Sequence, residues 1–200
     1  NTWWDDFAVT AFDEPYPELK AGTAQGHINA MLDADGILRH SLWAVTTPDN
    51  TEVPSLAAVT AAKYLAYQSG TEEQTADLDM VKRYLMEPPT DARGFWYLPF
   101  TGLPGDYSES ISVSDILSGA VPADYFADRI VLIGPYAAGL QDSYPTAIDH
   151  AQPMYGVEYQ ANAIEALLQG NYKTEAPDAW QYAALFLITA AFGLWMWKRK

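Results

Sequence analysis

Two carboxylates and one carboxamide stand out as residues placed to do chemistry. Asp142 follows an apolar run at 130–133, and Glu158 and Asn162 lie four residues apart on the helix pattern after it. In parallel α/β sheets, ligands gather beyond the carboxyl ends of strands. On that ground Gly134, Tyr136, Gln141 and Asp142 border the best candidate pocket, and Glu158 and Asn162, off the helix's apolar stripe, face the same crevice. A plainer reading stands beside each. Asp142 can instead brace its own loop backbone, and Glu158 can be a solvated acid favoured by a helix N-terminus. Asp142 and Glu158, with or without a divalent ion, would suit a hydrolase. No G-x-S-x-G, H-E-x-x-H or other nucleophile–base pattern accompanies them, so no catalytic residue is assigned.

Other motifs reduce to structure. Asp33, Asp35 and Gly36 begin like a calcium loop, but the position where such a loop needs its last acid is Ala44. A tight hairpin turn is expected there instead. The glycines of GPYAAG (134–139) follow a strand pattern, yet lack the Lys-Ser/Thr of a phosphate-binding loop. His27, His40 and His150 are scattered and the chain has no Cys. No metal site and no cofactor is therefore expected.

The chain has 200 residues, with 11 basic and 26 acidic side chains and a net charge of −15. So acidic a surface repels phosphate backbones, which argues against nucleic acid as a partner. The last three residues, Lys198, Arg199 and Lys200, are all basic; the remaining 197 carry −18. Before them, residues 180–197 run 18 positions without a charge, with Trp180 and Tyr182 at one end and Trp195 and Trp197 at the other. At 1.5 Å per residue this covers roughly 27 Å, close to the thickness of a bilayer core. Aromatic rings at both ends and cations beyond one of them predict a transmembrane helix within 179–200, its basic end cytoplasmic and residues 1–178 outside the cytoplasm. Thr189 and Gly193 form a small-xxx-small pair, a spacing that lets a second helix approach closely.

Residues 1–26 read as irregular, partly packed chain. The runs 27–32 and 37–45 read as two strands joined by the Asp33–Gly36 turn, with Ile28, Ala30 and Leu32 on the buried face. Ser55 caps a helix that Gly70 ends. A short helix is expected near 78–85, a strand at 95–100 and a loop at 101–107. Ser112 and Asp115 suggest a capping box opening a helix through Leu117. Residues 129–134, rich in Ile, Val and Leu, predict a strand covered on both faces. The last helix before the apolar run spans about 156–170, with Val157, Ala161, Ile164 and Leu168 as its apolar stripe. The expected fold class is α/β: a mixed sheet with a buried parallel core strand and flanking helices, followed by one transmembrane helix.

Taken in order, residues 26–45, 107–118, 128–146 and 156–170 resemble the second class of CHASE domains, the cyclase/histidine-kinase-associated sensory extracellular domains of bacteria. The series is a D-x-D-G turn followed by Arg39, a Ser-Asp helix start, a VLIG strand, a Gly-Leu-x-Asp loop and G-V-E-x-x-A-N. The resemblance runs over roughly 24–172. It implies a periplasmic or extracellular sensor held in the cell inner membrane, ahead of further membrane helices and a cytoplasmic cyclase or kinase, as in two-component systems. It also implies an earlier strand–helix portion, expected before Asn1, and a His where this chain has Gln160. The implied partners are an unknown small-molecule or protein signal, the membrane, and a second copy in a homodimer. The rival readings are the Asp142/Glu158 hydrolase and a non-catalytic interaction scaffold.

Overall fold

The structure is a computed structural model and describes residues 9–91, 93–107, 111–136, 138–140, 142–174 and 176–199. The chain forms a short helix α1 (Pro17–Gly22), strands β1 (His40–Leu42), β2 (Ala44–Thr46) and β3 (Glu52–Pro54), helices α2 (Leu56–Gln68) and α3 (Leu78–Tyr84), and strand β4 (Phe95–Tyr97). Then come helix α4 (Val113–Leu117), 3-10 turns at Ala123–Phe126 and Ala138–Leu140, strands β5 (Ser143–Tyr144) and β6 (Met154–Tyr155), and helices α5 (Gly156–Gln169) and α6 (Asp178–Trp197). The expected α/β class, with small sheets and one apolar C-terminal helix, is what the structure shows. In the N-terminal stretch read as irregular, α1 is a correction: proline in its first turn supplies the fixed φ that starts it, although none of its residues is buried.

Three local signals act as the residue types dictate. Ser55 Oγ accepts the Ala58 amide at 3.2 Å and starts α2. Asp77 Oδ1 accepts the Met80 amide at 2.7 Å and starts α3. Ser112 Oγ accepts the Ser114 amide at 3.2 Å and starts α4. The main core lies between α2, α3 and α5. The buried alanines of α2, Ala57, Ala58, Ala61, Ala62 and Ala66, leave room for Tyr159, Ala163 and Leu167 of α5 to approach closely. Trp96 of β4 and Met154 of β6 fill the same cluster.

The sheet departs from expectation in two places. The turn forms: Gly36 N donates to Asp33 O at 2.8 Å and Asp33 N to Ile37 O at 3.0 Å. Its arms do not pair as a hairpin. β1 ladders antiparallel with β4, setting Ser41 opposite Trp96 and Leu42 opposite Phe95, and β2 ladders with β3. Cross-strand pairs in a hairpin are worth about 0.2–1 kcal/mol each. Burying large side chains such as Trp96, Leu42 and Phe95 is worth roughly 1.5–3 kcal/mol apiece, and that decides the pairing. The first arm keeps its expected face at Ala30 and Leu32, which pack against the core, but not at its start, where His27 is buried and Ile28 exposed.

The second departure concerns the expected parallel core strand at 129–134. This segment has no regular secondary structure and joins no ladder among the described residues. Ile130 and Leu132 pack against the core by one face, while Val131 and Ile133 point outward, Ile133 at 84% exposure. A strand covered on both faces would bury all four. Among the described residues all three two-stranded ladders are antiparallel, and parallel pairing occurs only as single bridges, His27 to Ser55 and Leu38 to Thr146.

Candidate functional site

The described residues of the pocket expected from sequence converge on the first turns of α5, although most of their polar atoms turn inward. The amide of Tyr155 donates to Glu158 Oε2 at 3.0 Å, closing the helix start. Glu158 Oε1 accepts the amide of Gly105 at 2.7 Å. Both oxygens of this 2%-exposed carboxylate are thus engaged by backbone N–H groups, and the helix N-terminus adds a favourable field. One turn on, Asn162 is fully buried. Its Oδ1 accepts the amides of Thr101 and Gly102, both at 3.0 Å, and its Nδ2 donates to the carbonyls of Glu158 (3.1 Å) and Gly102 (3.4 Å). Glu158 and Asn162 therefore fasten the 101–105 loop to α5.

Their position corrects the expected helix face. The buried side of α5 is centred on Tyr159, Ala163, Ala166 and Leu167, with Glu158 and Asn162 among them; of the expected stripe Ile164 is buried, whereas Val157, Ala161 and Leu168 are only half-buried. A burial pattern drawn from apolar residues alone misses polar side chains whose every hydrogen bond is made inside the fold.

The loop residues gather around the same helix end. A Cβ on Gly134 would come within 2.9 Å of Val157 Cβ, so only glycine lets this segment lie so near α5. The Tyr136 ring packs on Tyr155 at 4.2 Å between centroids, and burial, then the nearby Glu158 charge, push its hydroxyl pKa up. The Asp142 carbonyl accepts the Gly156 amide at 3.0 Å, and its carboxylate occupies the space a Cβ on Gly156 would need. Tyr144 donates its hydroxyl to Asp142 Oδ1 at 3.2 Å, its own pKa raised by burial and then by that carboxylate. Gln141 lies outside the described residues.

The turn acids are occupied as well. Arg39 holds Asp35 bidentately at 2.7 and 2.9 Å and Asp33 at 2.7 Å; the guanidinium holds the Asp35 carboxyl down to about 2. His40 Nδ1 faces Asp33 Oδ1 at 3.2 Å, and its ring packs on Tyr97. His27 is buried, and neither ring nitrogen has a hydrogen-bond partner among the described residues.

A groove of about 420 Å³ lies elsewhere, on a face the sequence did not single out. One wall is the end of β4 and its continuation through Phe100; another is residues 147–148; Arg39 and Lys173 stand at its polar edge. A single antiparallel bridge between Tyr97 and Lys173 holds the chain that leaves α5 against β4. Four segments far apart in sequence build this groove, and of its residues only Arg39 carried a signal in the motif series.

The family model for the CHASE2 domain matches residues 6–195. The chain belongs to the CHASE2 family. The match is wider than the 24–172 resemblance and runs well into the apolar helix α6. No curated protein and no solved structure matches the chain. CHASE2 domains are sensory extracellular domains of a non-catalytic kind. In this CHASE2 domain the cluster at the start of α5 is a brace, and α6 is a helix long and apolar enough to cross a membrane.

Proposed function

We propose that residues 1–178 are the signal-input domain of a bacterial transmembrane receptor. They lie outside the cytoplasm, α6 spans the inner membrane, and the basic end stays within. Binding of a small molecule or protein shifts a conformational equilibrium that reaches a cytoplasmic cyclase or kinase through the membrane helix. Such coupling requires only different affinities for two states, with no catalytic step.

The observation that carries this reading is α6 itself. It is 20 residues long, about 30 Å, and none of its residues is buried against the rest of the chain. Phe186, Leu187, Ile188 and Phe192 are all at least 60% exposed, which water disfavours and lipid does not. Thr189 Oγ1 donates to the Leu185 carbonyl at 2.8 Å, so its hydroxyl can face lipid while satisfied. Thr189 and Gly193 then leave a shallow face on which the second copy of a homodimer would pack. The hydrolase reading finds no support here, because both Glu158 oxygens already accept backbone amides.

The chain lacks Cys, so single-cysteine mapping tests the topology directly. A membrane-impermeant maleimide should label Tyr67→Cys in intact spheroplasts, and Arg199→Cys only after lysis. The opposite pattern would overturn the receptor reading.

A further inference from the structure

We infer that the groove between β4, residues 147–148 and Lys173 is the signal-binding site of this domain, and that it takes a small monoanion with an apolar or aromatic body, such as a carboxylate. This inference rests on the receptor reading and names the ligand class it leaves open.

Three observations support it. The volume of about 420 Å³ suits a small molecule. The walls are mostly apolar, from Leu98, Pro99, Phe100 and Ile148. The edge carries a cation with nothing to hold: among the described residues, the Lys173 side chain makes no ion pair or hydrogen bond. The contrast with Arg39 is informative, since Asp33 and Asp35 already occupy its guanidinium. One ammonium left unpaired among the described residues of so acidic a domain matches one negative charge on a ligand, whereas a phosphate would call for more.

Position links occupancy to output. Tyr172 donates to the Met86 carbonyl at 2.9 Å and packs edge-on to Trp96, and Lys173 is bridged to Tyr97; α6 begins five residues later at Asp178. A ligand joining Lys173 to the β4 and 147–148 walls therefore pins the chain that enters the membrane helix.

The test uses the 200-residue chain in phosphatidylcholine nanodiscs, titrated with phenylacetate and with its neutral isostere phenylacetamide, and read by NMR at Ile148 and Lys173. Phenylacetate should shift both signals saturably, and phenylacetamide should bind at least tenfold more weakly. Lys173→Gln should weaken phenylacetate at least tenfold and Lys173→Arg should largely restore it. Ile148→Trp, which fills the groove without touching the charge, should abolish binding. Equal binding of the amide, no binding of the anion, or full binding by Lys173→Gln or Ile148→Trp would overturn the inference. So would phosphatidylglycerol nanodiscs shifting these signals when phenylacetate does not, since the occupant would then be a lipid headgroup. Cysteine mapping is independent of these results: failed binding with an outward-facing domain removes the groove and leaves the receptor, while binding with reversed topology does the converse.

Discussion

Glu158 accepts the backbone amide of Gly105 at 2.7 Å, across 53 positions of sequence. With the Tyr155 amide on its other oxygen, it joins the start of α5 to a loop that has no regular structure of its own. Glu158→Ala leaves both amides without an acceptor and should cost about 2–4 kcal/mol; Glu158→Gln, which keeps one acceptor oxygen, should cost roughly half as much. Urea unfolding followed by tryptophan fluorescence reads both. Unchanged stability in Glu158→Ala would show that the loop is held by other means.

Asn162 makes a different demand, because it both accepts and donates. Asn162→Asp keeps the acceptor for Thr101 and Gly102, but sets a second oxygen against the carbonyls of Gly102 and Glu158. Burial and those carbonyls should raise the new carboxyl's pKa. The variant should therefore be destabilised at pH 7 and recover relative to wild type as pH falls and the group takes up a proton. Melting curves of the two proteins from pH 7.5 to 5 give the comparison.

Burial holds His27 at about 4, below the usual 6.5 of an imidazole. The native state thus keeps this side chain neutral where the unfolded chain would protonate it. Stability from His27 is fully present above pH 6.5 and is lost as pH falls toward 4, a total of about 3 kcal/mol. His27→Leu should flatten the pH dependence of stability within that window. Identical pH slopes in both proteins would refute the assignment.

Gly156 and Asp142 share one space. Gly156→Ala should destabilise the fold, since its methyl overlaps the Asp142 carboxylate. In the Asp142→Ala background the same change should cost less, with a coupling of about 1–2 kcal/mol in a double-mutant cycle. Additive effects would mean that the backbone yields and the carboxylate does not.

Ile188 lies near the middle of α6 and is exposed. Ile188→Lys should impair membrane insertion, at about 2.5–3.5 kcal/mol for a cation at the centre of a span. The control Tyr67→Lys, at an exposed position of α2, should have no effect. Carbonate extraction followed by fractionation distinguishes them.

Much was readable along the chain. Ser55, Ser112 and the charge-free run of 180–197 act through neighbours a few residues away or through their surrounding solvent, so residue type and spacing suffice to place α2, α4 and α6. The order of motifs, from the Asp33–Arg39 turn to the Gly156–Asn162 helix start, was likewise enough to suggest the family. The same local reasoning failed where distant partners compete. The run 129–134 has the composition of a core strand, but a strand needs neighbours in a sheet, and the ladders formed elsewhere. The turn at Asp33–Gly36 formed without its hairpin because β4, more than fifty residues on, offers β1 more apolar surface to bury. Polar residues in the core were hidden for a related reason. Glu158 and Asn162 look solvent-facing until residues 101–105 arrive with their amides, and Lys173 is one surface lysine among several until Tyr97 and Ile148 are set beside it. Hydrophobic period and capping are properties of short segments; pairing, polar burial and the groove depend on which segments meet, and only the folded chain brings them together.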